Sequence, residues 1–178
     1  ALFKYTAKFD DYKLSAATVE VTAAEKKKAL SLVSREDLKV IKLVAKRIED
    51  YHRRQIATGY SIKKENGVEL GQRILPLSRV GIYAPGGKAS YPSTILMAAI
   101  PARLAGVKEI ILVSPAPEGK LSPLIAAAAD ISGIKRIFKI GGAQAIAALA
   151  YGTKTVPQVD KIVGPGNAYV AAAKKLVF

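Results

Sequence analysis

The order of apolar and polar positions divides the chain near Pro76. Ahead of that proline, charged residues dominate and the apolar ones recur at helical spacing. Leu38, Ile41, Val44, Ile48, His52 and Ile56 fall at three- and four-residue steps. They mark one face of a helix running to about Thr58, with Gly59 suited to its end. Thr22 and Glu25 have the spacing of a capping box, which predicts a short helix after Thr22, and Ser34 reads as a second N-cap. Next, "YSIKKENGVELGQRI" alternates on both sides of Asn66-Gly67. That pattern predicts a β-hairpin with a type I′ turn.

Beyond Pro76, short apolar runs alternate with Ala-rich helical stretches. The predicted strands are "RVGIY" (79–83), "EIILV" (109–113), "RIFKI" (136–140) and "KIVG" (161–164). The predicted helices are Thr94 to Ala105, Leu121 to Ile131, Ala143 to Ala150 and Ala168 to Val177. Pro101 is expected to kink the first of these or loosen its middle turn. Continuously apolar strands joined by helices indicate an open parallel sheet with right-handed crossovers. The fold class is therefore α/β. The expected division is a helical segment with a hairpin at 1–75 and an α/β domain at 76–178.

Composition narrows the chemistry. The chain has 178 residues and no Cys, which excludes disulfides, thiolate metal sites and cysteine nucleophiles in it. No apolar run approaches a membrane span, so no membrane association is expected. The N-terminal stretch has no h-region, so no signal peptide is expected, and without an initiating Met it reads as a cut end. Lys and Arg outnumber Asp and Glu by 28 to 14. That excess suits a nucleic acid or an anionic ligand such as a dinucleotide. The basic residues are dispersed, however, and do not interleave with aromatics, so solvated faces are expected rather than a polyanion groove. His52, the single histidine, lies on the apolar stripe of the long helix, where packing is expected rather than catalysis.

The loops after the four strands are "APGGKASYPS", "SPAPEGKLS", "GGAQ" and "GPGN". In an open α/β sheet, ligands bind at this edge, where strand ends splay and helix N-termini point inward. Gly86, Gly87, Gly141, Gly142, Gly164 and Gly166 would shape it. Gln144 and Asn167 each follow a Gly-containing turn at a helix start. Their amides suit a ribose, a carboxamide or a neighbouring loop; equally, Asn167 suits a simple N-cap and Gln144 a loop-locking hydrogen bond. Tyr83 suits stacking on a flat ring or closing the sheet end, and Lys88 is placed to meet a phosphate. "GPGNAY" resembles part of a dinucleotide fingerprint without its third Gly or its acidic partner about 20 residues later. No Ser/His/Asp set and no carboxylate pair emerges.

Three segments together resemble the histidinol dehydrogenase family: "RVGIYAPGGKASYPSTILMAAIPARLAGVKEI", "IGGAQAIAALAYGT" and "VPQVDKIVGPGNAYVAAAKKLV". "YTAKFD" and the long helix match more loosely. The resemblance implies an incomplete Rossmann-like, aldehyde-dehydrogenase-like three-layer domain. It implies a cytoplasmic, homodimeric, zinc-dependent oxidoreductase that converts L-histidinol to L-histidine through the aldehyde with NAD. It places NAD against Tyr83, Pro85, Gln144 and Asn167. It puts the family's zinc ligands, its acid/base pair and most substrate contacts downstream of Phe178, so this chain alone is expected to be inactive. Two other readings are a stand-alone, non-catalytic α/β module and a basic nucleic-acid-binding domain.

Overall fold

The computed structural model describes residues 1–86 and 90–177; the expectations for Gly87 and Lys88 lie outside the described residues. The four predicted α/β strands form one parallel sheet. β3 (Arg79–Tyr83), β4 (Glu109–Val113), β5 (Arg136–Phe138) and β6 (Lys161–Val163) lie in the order β5-β4-β3-β6, after a separate hairpin of β1 (Tyr60–Lys63) and β2 (Glu69–Gln72). All of its ladders are parallel.

The strands are apolar throughout because both faces are covered. Ile82, Leu112 and Ile137 sit side by side in register and point into one cluster. That cluster is completed by α4 (Pro92–Leu104) and α5 (Pro123–Ile131), with α2 (Ala23–Ser31) and α3 (Arg35–His52) packed outside them. Tyr83, Val113 and Phe138, one residue further along, point the other way. They meet α6 (Gly142–Tyr151) and α7 (Ala168–Leu176), with α1 (Leu2–Phe9) against α6. The result is helix, sheet, helix. The helices following β3 and β4 cover one face and those following β5 and β6 the other. Strand order therefore reverses between β3 and β6, the place where such sheets open a crevice.

Local chemistry accounts for the helix starts. Thr22 and Glu25 close the predicted capping box: the Glu25 N–H donates to Thr22 Oγ1 at 3.2 Å, and the Thr22 N–H donates to Glu25 Oε2 at 2.8 Å. Ser34 Oγ accepts the Asp37 N–H at 2.9 Å. The segment between Val19 and Val21 runs beside β5, with the Lys139 N–H on the Val19 carbonyl and the Val21 N–H on that of Ile137. This edge brings Glu25 to Lys139, whose ammonium is buried and donates to Glu25 Oε1 at 2.5 Å. At the opposite end of the strands, Arg136 forks onto Glu20 at 2.8 and 2.9 Å and reaches Glu109, which also pairs with Arg79.

Several expectations need correction. The long helix ends at His52 and tightens into a 3-10 turn at Arg53–Gln55, so it does not reach Thr58. The reason is that Ile56 is exposed: the apolar period continues, but there is no core for it to meet. Gly59 does not cap that helix. It lies against β2, where a Cβ would overlap the Gln72 carbonyl oxygen. The hairpin is present, yet its turn is not type I′. Asn66 does not take the positive φ that type I′ requires; the Gly67 N–H donates to the Lys64 carbonyl, and Gly67 alone has φ of 81°. That is a type I turn closed by a glycine bulge. Helix α4 runs unbroken through Pro101. The third and fourth strands stop at Phe138 and Val163, short of the predicted ends.

Candidate functional site

At the reversal point, the sheet edge opens into a cavity of about 1070 Å³. Three turns distant in sequence supply its polar rim: Tyr83 ends β3, Gly141 to Gln144 begin α6, and Asn167 begins α7. Tyr83 is buried, and its hydroxyl oxygen accepts the Gly142 N–H at 3.1 Å. Its own hydroxyl proton is thereby left to donate elsewhere. Burial pushes the Tyr83 pKa up and the nearby Asp10 charge adds to that, while the Gly142 N–H works in the opposite direction.

Both helices present their N-terminal ends here. Asn167 caps α7 through Oδ1, which accepts the Val170 N–H at 3.1 Å, and this leaves the side-chain NH2 group as a donor. Gly141 caps α6 without a side-chain bond, so the first-turn N–H groups of Ala143 and Gln144 have no partner within the helix. Gln144 curls back over Gly142, whose φ of 67° L side chains rarely adopt, and a Cβ there would lie 2.8 Å from Gln144 Oε1, so that side chain would have to move. Aligned peptide dipoles at two helix starts favour a ligand with negative charge.

The remaining walls are largely apolar. Leu2, Tyr5 and Phe9 of α1 form one side, and Tyr151 and Tyr169 flank the other. Tyr169 is 75 % exposed and Phe9 66 % exposed, so flat aromatic faces stand open beside the polar rim. Such a mixture, apolar walls with a few convergent donors, is the usual form of a small-molecule site.

A profile described as histidinol dehydrogenase matches residues 1–178. The chain belongs to the histidinol dehydrogenase family. It is 56% identical over 178 residues to the histidinol dehydrogenase of Syntrophotalea carbinolica, covering 100% of this chain and 41% of that protein. It is 52% identical over 179 residues to that of Aromatoleum aromaticum, again with 100% and 41% covered. The crystal structure of histidinol dehydrogenase from Elizabethkingia anophelis matches with a TM-score of 0.92 at 42% identity, over 99% of this chain and 40% of that one. The chain thus spans about two fifths of the length of the relatives it matches.

Of the residues singled out through the histidinol dehydrogenase resemblance, Tyr83, Gln144 and Asn167 line the same cavity. Pro85 is half-buried on the loop beyond β3 and is not among the lining residues. His52 lies on α3, away from the cavity, with Nδ1 2.5 Å from Gln55 Oε1. Sequence reasoning missed the α1 wall and Asp10 behind it. The signal was the Leu2, Tyr5, Phe9 spacing, which is helical but only two turns long.

Proposed function

We propose that this chain forms the cofactor-holding part of an NAD-dependent oxidoreductase of histidine biosynthesis, which oxidises L-histidinol to L-histidine through the aldehyde. The observation that carries this reading is the meeting of Tyr83, Gln144 and Asn167 on one cavity between two helix N-termini. NAD fits what these residues offer. Its pyrophosphate suits the first-turn N–H groups of α6, and its carboxamide and hydroxyls suit the Gln144 amide, the Asn167 NH2 and the Tyr83 hydroxyl. Bound there, NAD supplies the hydride acceptor. The chain's own contribution is binding and orientation: Asn167 and Tyr83 are each fixed by a backbone hydrogen bond before any ligand arrives.

Zinc is a different matter. Among the described residues, no group of three or more His, Cys, Asp or Glu side chains could hold a metal ion. The residues present do not fit a zinc site, and no step is derived through one. No helix among the described residues is long and apolar enough to cross a membrane. A cytoplasmic location, a homodimeric assembly and the functional division of 1–75 from 76–178 complete the proposal.

Calorimetric titration with NAD tests it. The chain is expected to bind, and Gln144→Ala and Asn167→Ala are each expected to weaken binding about tenfold, the effect of one lost hydrogen bond. Asn167→Ala should also cost about 1 kcal/mol of stability through the lost cap. Identical heats for all three proteins would remove these residues from the site. In the same preparation, histidinol with NAD and zinc should give no turnover by the 178-residue chain; measurable NADH formation would contradict the assignment of this part to cofactor holding alone.

A further inference from the structure

The cavity is lined by a carboxylate, that of Asp10. Asp10 Oδ2 is shielded from solvent and has no hydrogen-bond partner among the described residues. Burying a polar oxygen without a donor costs about 1–3 kcal/mol, so a ligand that supplies the donor recovers that loss. Asp10 is not loosely placed. Its N–H donates to the Thr6 carbonyl at the end of α1, and its carbonyl accepts the Glu118 N–H at 3.4 Å. Asp11 then turns the chain with φ of 49°, and the Tyr12 ring packs directly on Gly119, where a Cβ would overlap it. The segment is held from both sides, and Asp10 lines the cavity.

The electrostatic setting is unusual for so basic a chain. With a formal net charge of +14, the lining among the described residues includes no Lys and no Arg, and Asp10 is the only charged side chain among those described. Phosphate oxygens are served by the helix starts; the carboxylate can serve only donors. A ribose diol is a pair of donors at the right spacing for one carboxylate, and an acidic residue on the 2′-hydroxyl is how many dinucleotide sites read that sugar. In those sites the acidic residue follows the glycine loop in sequence. Here it would come from the N-terminal helix.

We propose that Asp10 binds the ribose hydroxyls of the adenosine half of NAD and sets the preference for NAD over NADP. The inference rests on the NAD reading of the cavity. A 2′-phosphate would remove one donor and bring a second negative charge against Asp10, with no Lys or Arg among the described lining residues to offset it.

The test is calorimetric titration of the chain and of Asp10→Asn with NAD, NADP and 2′-deoxyadenosine NAD, alongside Gln144→Ala. The variant removes charge but little volume, and Asp10 Oδ2 has no hydrogen-bond partner among the described residues, so the melting temperature should not fall. The expected result is about tenfold weaker NAD binding by Asp10→Asn, from loss of a charge-assisted hydrogen bond. The wild-type chain should bind NADP and the deoxy analogue at least about tenfold more weakly than NAD, and both gaps should narrow in Asp10→Asn. Unchanged NAD affinity and unchanged gaps in Asp10→Asn, with binding still weakened in Gln144→Ala, would overturn the role of Asp10 and leave the cavity reading intact. No NAD binding by the wild-type chain would overturn both. An Asp10→Asn protein that melts lower but keeps the wild-type NAD/NADP ratio would make Asp10 structural and overturn the proposal.

Discussion

Gly164→Ala is expected to destabilise the chain by about 4 kcal/mol, combining a strained backbone with a core overlap. Gly164 follows β6 with φ of 117°, a conformation L side chains rarely adopt. A Cβ there would also overlap the Tyr83 carbonyl oxygen, which belongs to backbone and cannot swing aside. Lys174 adds a further constraint, because its ammonium donates to the Gly164 carbonyl at 2.5 Å and ties the turn to α7. For a domain of this size the melting temperature should fall by about 10 °C or more. Because the turn abuts Tyr83, NAD binding should fall with it even where the protein remains folded. A variant melting within about 2 °C of the wild type would show that the β6–α7 turn can relax away from β3.

The second large effect concerns the pair that ties the N-terminal segment to the sheet. Glu25→Gln keeps an acceptor for the capping box but removes the counter-charge of Lys139. A buried ammonium left alone is costly. We expect about 2 kcal/mol, below the usual range for a fully buried pair because the Glu25 side chain is 39% exposed. The loss should depend on pH. Burial alone would raise the Glu25 pKa, but the hydrogen bond and charge of Lys139 and the bonds from Thr22 outweigh it and hold the carboxyl below its ordinary value of 4.5. A lowered folded pKa gives stability that is complete above the ordinary value and disappears as pH falls through the lowered one. The wild-type protein should therefore lose its advantage over Glu25→Gln on acidification below that value. A gap that stays constant from neutral pH down to about pH 3 would place the energy of the pair elsewhere.

The parallel sheet was legible in the sequence because its strands are buried on both faces. Apolar runs such as "EIILV" are hard to place anywhere else, and the Ala-rich helices between them force parallel pairing. The capping box at Thr22 and the cap at Asn167 were legible for the opposite reason: each depends on residues three positions apart. What failed was whatever depends on distant contacts. Ile56 continues the period of α3 but finds no partner, and the periodicity contains no sign of that. Lys139 looks like an ordinary surface lysine within "RIFKI"; only the pairing of Val19 with that edge buries it against Glu25. For the candidate site, three rim residues were found through loop composition and resemblance. Asp10 was not, since no spacing rule connects residue 10 to a glycine turn at 141.

Ala1 and Leu2 at one end of the chain, and Leu176 and Val177 at the other, border the same cavity. Two stretches far apart in sequence thus share the boundary of one space, so a bulkier side chain in either would narrow it for both.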